Sequence, residues 1–151
     1  MPARLDPFAA APELVKAWFA FSNQVTASGL EKPLLELVKI RASLLNGCAN
    51  CLNMHTYEAR QAGETEQRVA LLGAWHEAPC YSERERAALA WTDHLTLIAD
   101  KRAPAEVYAA LDAEFDKEEQ VKLTMMINVI NGWNRLAIGF ELFDPSYGWN
   151  E

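Results

Sequence analysis

The stretch from residue 36 to residue 55, ELVKIRASLLNGCANCLNMH, decides the fold. Apolar residues recur in it at three- and four-residue spacing up to Asn46-Gly47, which is the pattern of an amphipathic helix ended by a glycine. The pair Cys48-x-x-Cys51 follows at once, and a second helix is predicted to begin between the two cysteines. The segment therefore predicts two helices joined by a tight turn, with both thiols at the start of the second helix.

The position of the second cysteine at the start of a helix is expected to favour its thiolate form. A helix N-terminus offers unpaired N–H groups and the positive end of the helix dipole, which favour a thiolate and lower a cysteine pKa. His55 follows Cys51 by four residues, so its imidazole is expected beside the Cys51 sulfur, where it could take the thiol proton. Glu36 could orient that imidazole if the two helices pack antiparallel. A sulfenic acid on Cys51 could then condense with Cys48 to a disulfide.

The rest of the chain repeats this helical periodicity, and segments that alternate with period two are few. Turn residues and two capping boxes separate the helices. We expect an all-α fold in a single domain spanning residues 1–151. The predicted helices run from the Asp6-Pro7 and Pro12 region to about Ala27, from Lys32 to Asn46, from between the cysteines to Ala62, from Glu66 to Ala74, from Ser82 to about Asp100, from Pro104 to about Phe115, and from Asp116 past Leu136.

Residues 121–140, VKLTMMINVINGWNRLAIGF, are apolar on more than one face of their predicted helix. A chain of 151 residues could not easily cover all of that surface by itself. We therefore expect a homo-oligomer, whether dimer, trimer or hexamer, that assembles through apolar helix faces.

Composition excludes several classes of function. The formal net charge of -7 argues against nucleic acid and anionic membrane surfaces as partners. No apolar run approaches the roughly 20 residues that span a bilayer, and the N-terminus lacks the pattern of a secretory signal. Three cysteines do not make a disulfide framework for export. We expect a cytoplasmic protein in which a close cysteine pair is redox-active or binds metal.

The spacing Glu36-x11-Cys48-x2-Cys51-x3-His55 resembles the active-site motif of the AhpD-like alkylhydroperoxidases, in the carboxymuconolactone decarboxylase superfamily. The resemblance covers roughly residues 30–140. It implies an all-α homo-oligomer that reduces hydrogen peroxide or organic hydroperoxides without a metal or an organic cofactor. It also implies that Cys51 attacks the peroxide, that Cys48 resolves the product, and that Glu36 and His55 form a proton relay. The implied reductant is a thiol or dithiol, such as a lipoyl or thioredoxin-like protein.

One position departs from the motif of the best-known members of that family. They carry a histidine just before the second cysteine, where this chain has Asn50. Asparagine forms hydrogen bonds but does not carry a proton near neutral pH. The proton relay of this chain is therefore expected to differ from theirs at this position.

Other interpretations of the same residues stay open. The thiols could be small apolar residues in a helix contact, or Cys48, Cys51 and His55 could bind zinc with Glu36, His76 or Cys80 as a fourth ligand. A decarboxylase of a carboxymuconolactone-type lactone acid, with Arg41 or Arg135 at an anionic substrate, is a second enzymatic hypothesis. A thiol–disulfide redox sensor without turnover is a third. Cys80 itself is expected to be a bystander, and His76 and His94 to lie at the surface or an interface.

Overall fold

A computed structural model describes residues 2–148, which fold into helices and turns with no strand within that range. This confirms the predicted all-α fold. The α-helices are α1 (Pro7–Ala10), α2 (Pro12–Thr26), α3 (Lys32–Asn46), α4 (Ala49–Gln61), α5 (Glu66–Leu71), α6 (Glu83–Thr96), α7 (Ile98–Lys101), α8 (Ala105–Glu114) and α9 (Lys117–Phe140), with a 3₁₀ turn over Leu72–Ala74 after α5.

Both predicted capping boxes are present. Ser82 accepts a hydrogen bond from the backbone N–H of Glu85 at 3.2 Å, and the Glu85 carboxylate accepts one from the Ser82 N–H at 2.8 Å. Asp116 and Glu119 form the same reciprocal pair at 2.9 and 3.0 Å. Each box satisfies N–H groups that the first helical turn leaves unpaired, which explains why α6 and α9 begin where they do.

Two predicted boundaries are wrong, each for a local reason. The first helix is split at Ala11, which is not helical at φ -140° and ψ 64°, because Pro12 disfavours the helical conformation in the residue before it. The helix from Ser82 ends at Thr96, well before Asp100, and α7 follows as a separate turn. There, a ring nitrogen of His94 lies 3.0 Å from the Arg102 carbonyl oxygen, a contact that favours the folding back of the chain.

The core is built around α3, which packs against α4, α6 and α9. Leu37 and Val38, in the middle of α3, have no exposed surface, and burial of each is worth about 1.5–3 kcal/mol. The largest core cluster joins α3 to α6, α8 and α9. It consists of Val25, Leu30, Leu34, Leu35, Val38, Ala87, Ala88, Leu111, Phe115, Leu123, Met126, Ile127 and Val129.

A single glycine turns α3 into α4. Gly47 has φ +69°, in the left-handed region that disfavours side chains. Its N–H donates to the Leu44 carbonyl at 3.3 Å, and the Cys48 N–H donates to the Ser43 carbonyl at 3.0 Å. These bonds satisfy the last carbonyls of α3 in a Schellman motif. Because the turn is so short, α4 packs back along α3, which meets the condition under which Glu36 could orient His55.

Apolar side chains remain exposed where α1, α2 and α9 meet. The rings of Phe8 and Phe19 lie 6.2 and 6.4 Å from that of Trp133, and the two phenylalanines are 47% and 51% exposed. Within residues 2–148, no helix is long and apolar enough to cross a membrane. This surface agrees with the sequence-based expectation of apolar helix faces, and assembly through it stays a prediction.

Candidate functional site

The two cysteines of the motif form a disulfide at the start of α4, with their Cα atoms 5.4 Å apart. Cys48 is the N-cap residue of α4 and Cys51 lies in its first turn, as predicted. Both are almost completely buried, at 1% and 2% exposure. The structure therefore contains the oxidised form of the pair.

Apolar side chains from three parts of the chain surround the disulfide. Ala42 belongs to α3, Ile130 and Ala137 belong to α9, and Leu142 follows the end of α9. Such surroundings exclude water and strengthen every electrostatic interaction near the sulfurs. The disulfide thus lies in a largely apolar environment, with the polar backbone groups of the helix start beside it.

The backbone of α4 directs a donor at the sulfur of the first cysteine. The N–H of Cys51 lies 3.3 Å from Sγ of Cys48, in the geometry of a hydrogen bond. An N-capping sulfur gains most from negative charge, because it receives both this donor and the positive end of the helix dipole. The helix start therefore favours thiolate at Cys48 as well as at Cys51.

Glu36 and His55 come together as the sequence predicted. Nδ1 of His55 lies 3.4 Å from Oε2 of Glu36, and their side chains are 12% and 16% exposed. The other oxygen of Glu36 pairs with the ammonium group of Lys39, one turn further along α3. Burial raises the pKa of Glu36, but the contact with His55 and the charge of Lys39 outweigh it, so this pKa lies below its ordinary value. Glu36 is therefore an ionised, nearly buried carboxylate at neutral pH.

A second carboxylate, from Glu58, joins this pair, and sequence reasoning missed it. Oε2 of Glu58 lies 3.1 Å from Nδ1 of His55, a hydrogen bond that is shorter than the 3.4 Å ion-pair contact with Glu36. Glu58 and His55 are three residues apart on α4, which places them on one face of the helix. That spacing was the available signal, and the same spacing on α3 would have indicated Lys39 as the partner of Glu36.

The imidazole of His55 faces the carboxylates in this oxidised state. Among residues 2–148, its hydrogen-bond and ion-pair contacts are with Glu36 and Glu58, and none joins it to either sulfur. The predicted contact with Cys51 is therefore not present in this form. His55 does lie one helical turn after Cys51, on the helix that carries both sulfurs.

The segment after α9, residues 141–148, crosses the start of α4 and will be called the C-terminal strap. Its Asp144 N–H donates to Oδ1 of Asn50 at 2.8 Å, and Nδ2 of Asn53 donates to the Asp144 carbonyl at 3.0 Å. The rings of Tyr57 and Tyr147 meet edge to face, with centroids 5.9 Å apart. Asn50, which replaces a histidine of the motif, thus ties this strap to the helix of the cysteines.

Two arginines considered for an anionic substrate lie in different settings. Arg41 is buried and forms a bidentate pair with Asp93, at 2.6 and 3.0 Å. Trp75 donates to the same carboxylate at 3.2 Å. The guanidinium of Arg41 is therefore committed to the core, whereas Arg135 is exposed on α9.

The remaining candidates lie outside the disulfide site. Cys80 is a free, partly buried cysteine in the loop before α6. His76 is 60% exposed, stacks on Trp75 and lies 3.7 Å from Asp93. His94 is occupied with backbone carbonyls at the end of α7. These positions agree with their interpretation as bystander and surface residues.

The cluster of Glu36, His55 and Glu58 could hold a metal ion, because one ligand atom from each lies within 4.8 Å of the others. Lys39 already places a positive charge on Glu36, and the ring N–H of His55 can serve either carboxylate. The cluster is therefore explained without a cation. The zinc arrangement considered from the sequence needs free thiolates, and in this form Cys48 and Cys51 are joined to each other.

Known proteins share this fold and much of this sequence. The profile of the carboxymuconolactone decarboxylase family matches residues 12–94. The uncharacterised protein YdfG of Bacillus subtilis (strain 168) is 44% identical over 138 residues, which are 91% of this chain and 94% of that protein. ATU0492 of Agrobacterium tumefaciens, a protein of unknown function with a suggested AhpD role in antioxidant defence, is 44% identical with a TM-score of 0.92, over 95% and 99% of the two chains.

A more distant structure shares the fold alone. The debrominase Bmp8 is 18% identical, with a TM-score of 0.80 over 89% of this chain and 72% of its own. Since a debrominase has this fold, the fold by itself does not define a peroxidase or any other reaction. The function must be argued from the residues around the disulfide.

Proposed function

The chain belongs to the carboxymuconolactone decarboxylase family, and we propose that it acts as an AhpD-like, thiol-dependent peroxidase. The single observation that carries the proposal is the disulfide at the start of α4, with His55 one turn further along the same helix and Glu36 of α3 against it. A cysteine pair that closes into a disulfide at a helix N-terminus, with an imidazole one helical turn away, is suited to two-electron oxidation by a peroxide.

In the first step, the Cys51 thiol loses its proton to His55, and the thiolate attacks one oxygen of the hydroperoxide. The O–O bond breaks, an S–O bond forms, and Cys51 becomes a sulfenic acid. The departing alkoxide or hydroxide takes the proton back from His55 and leaves as alcohol or water. Glu36 stabilises the imidazolium between these two transfers, because it is an ionised carboxylate 3.4 Å from Nδ1.

In the second step, the Cys48 sulfur attacks the sulfur of Cys51. The S–S bond forms, the S–O bond of the sulfenic acid breaks, and the departing hydroxide leaves as water with the proton that Cys48 gave up on ionising. An external dithiol then reduces the disulfide by exchange, giving up two electrons and two protons. The balance for one turnover is one hydroperoxide and one dithiol consumed, and one alcohol, one water and one oxidised dithiol formed.

The assignment of Cys51 as the attacking residue rests on two arguments. His55 follows it by one helical turn, and the family motif gives the second cysteine this role. The N–H donor at Sγ of Cys48 supports an ionised Cys48 too, which suits a residue that must attack the sulfenic acid. A dithiol reductant, such as a lipoyl group or a thioredoxin-like protein in the cytoplasm, completes the proposal.

The decarboxylase hypothesis has less support. Arg41, one of the two arginines proposed for an anionic substrate, is paired with Asp93 in the core. A decarboxylase of a lactone acid also has no need for the cysteine pair. Replacement of both cysteines by serine should therefore leave a decarboxylase active and abolish a peroxidase.

The direct test is peroxide consumption by the reduced protein with excess dithiothreitol. We expect repeated turnover with hydrogen peroxide or cumene hydroperoxide. We also expect that, without the reductant, the mass falls by two hydrogens on a peptide that holds Cys48 and Cys51. One equivalent of peroxide consumed without turnover would contradict the enzyme and favour the redox sensor. No reaction at the pair would contradict both.

A further inference from the structure

The imidazole of His55 has one nitrogen, Nδ1, facing two carboxylates. The contact with Glu58 is a hydrogen bond at 3.1 Å, whereas Oε2 of Glu36 stands at 3.4 Å and is buried with no hydrogen-bond partner. One N–H cannot bond fully to two acceptors at once. In this state, Glu58 holds the ring, and Glu36 acts on it through charge.

The two carboxylates also differ in their access to water. The side chain of Glu36 is 16% exposed and bound on its other oxygen by Lys39. The side chain of Glu58 is 41% exposed. Of the two carboxylates that contact the ring, Glu58 is therefore the more open to solvent.

We propose that Glu58 is the solvent-side positioning residue of the relay, which holds Nδ1–H of His55 and exchanges its proton with water. This inference rests on the proposed peroxidase function. With Nδ1 protonated and bonded to Glu58, the other ring nitrogen is left free to accept the Cys51 proton. The imidazolium that results is flanked by two negative carboxylates. During reduction, each thiolate released from the disulfide needs a proton, and Glu58 connects the relay with the solvent that supplies it.

Charged and titratable groups on each neighbouring element bear on this relay. Glu36 and Lys39 face His55 from α3, and Glu58 faces it from its own helix. On the C-terminal strap, burial and the charges of Glu58 and Asp144 raise the pKa of Tyr147. Tyr147 therefore stays protonated through the neutral range and does not compete with Glu58 as a proton acceptor.

A simpler interpretation makes Glu58 a helix-stabilising partner of His55 at i,i+3 spacing. That role would affect thermal stability and leave the pH dependence of turnover unchanged. The proposed role affects the pH dependence itself, so the two are separable by experiment.

The first test compares Glu58→Gln with Glu66→Gln in dithiol-dependent peroxide turnover across a pH series. Glu66 is the matched control, because it is 83% exposed, pairs with Arg60 and lies outside the relay. We expect Glu58→Gln to lose about tenfold in turnover at neutral pH, a modest share of what general acid–base catalysis supplies. Small carboxylic acids such as acetate should restore part of the loss, and Glu66→Gln should follow the wild type. Equal pH profiles for the two variants would overturn the proposal.

The second test needs no peroxide. With Cys48 and Cys80 replaced by serine, the ultraviolet absorbance of the Cys51 thiolate is titrated with Glu58 intact and with Glu58→Gln. Loss of one partly exposed charge beside the imidazolium should raise the midpoint pH and leave about two- to fivefold less thiolate below the midpoint. An unmoved midpoint would overturn the role of Glu58. Absence of turnover in the wild type, together with a moved midpoint, would reject the peroxidase and keep the Glu58–His55 linkage.

Discussion

Asn50 and Asp144, 94 residues apart in sequence, are joined by a hydrogen bond of 2.8 Å. The bond ties the C-terminal strap to the first turn of α4, directly beside the disulfide. Leu142 of the same segment packs against the apolar cluster that contains both cysteines. Since Cys48 and Cys51 are 1% and 2% exposed, part of their surroundings must move before a reductant reaches them, and we expect the strap to be the part that moves.

Asn50→Ala should therefore speed reduction of the disulfide. Loss of one hydrogen bond worth about 0.5–1.5 kcal/mol should raise the open population, and with it the rate of reduction, by about two- to tenfold. The measurement is the rate of thiol release with dithiothreitol. Asn23→Ala, at an exposed position of α2, is the control. Equal rates for Asn50→Ala and the wild type would show that the strap does not limit access.

Glu36→Gln should destabilise the protein in a pH-dependent way. The pKa of Glu36 lies below its ordinary value of 4.5, so its ionised form stabilises the fold above that value. This contribution disappears as the pH falls through the lower pKa of the folded state. At pH 7, where Lys39 would lose its partner, we expect a cost of about 3 kcal/mol. The difference from the wild type in urea unfolding should shrink in acid, and a constant difference would contradict the argument.

Asp93→Ala should be among the most destabilising single changes. Its carboxylate is 1% exposed and binds both Arg41 and Trp75. Removal leaves a buried guanidinium unpaired, which costs about 3–5 kcal/mol. Glu118→Ala, which breaks an exposed pair with Lys122, should cost about 1 kcal/mol or less. Comparable losses for the two variants in urea unfolding would contradict a structural role for Arg41.

Replacement of two glycines of α9 by alanine should change the stability of the protein in opposite directions. A Cβ at Gly132 would lie 2.5 Å from a ring carbon of Trp18, whereas a Cβ at Gly139 meets nothing within 4 Å. Gly132→Ala should cost about 1–3 kcal/mol because the indole must move. Gly139→Ala should add up to about 1 kcal/mol through helix propensity. Thermal unfolding of both variants checks the pair, and a stabilised Gly132→Ala would contradict the close packing.

Self-association is predicted to involve the exposed aromatic surface of α1, α2 and α9. Phe19 is 51% exposed and contacts the ring of Trp133, so Phe19→Lys should place a charge within the interface. Ala20→Lys adds the same charge about 100° further round α2. Sedimentation should show smaller particles for Phe19→Lys than for Ala20→Lys. A monomeric wild type would reject the predicted oligomer.

The start of α4 could be read from the sequence because its signals are local. Gly47 ends one helix and Cys48 caps the next. Each of the two capping boxes spans only four consecutive residues. The helical period places Glu36 and His55 on the sides of α3 and α4 that face each other. The short turn at Gly47 packs these two helices together. Local signals of this kind are enough for the fold class and for the two-helix frame of the site.

Other features depend on tertiary contacts that no local pattern contains. The contact between Asn50 and the strap joins residues 94 positions apart. Arg41 is buried because it pairs with Asp93 on another helix, and this pairing is not visible in the sequence. From the sequence, the positive charge of Arg41 suggested a substrate-binding role. Glu58 was missed although it is close in sequence, because a glutamate on a helix is most often solvated and only the orientation of the ring shows its role.

The short turn at Gly47 determines how close together in sequence the residues of the candidate site lie. Because the chain reverses within two residues, the carboxylate, both sulfurs and the imidazole all come from twenty consecutive positions. The residues of the candidate site therefore lie in one helical hairpin, and the other helices pack around it. Substitutions in those other helices can change the surroundings of the site without changing which residues form it.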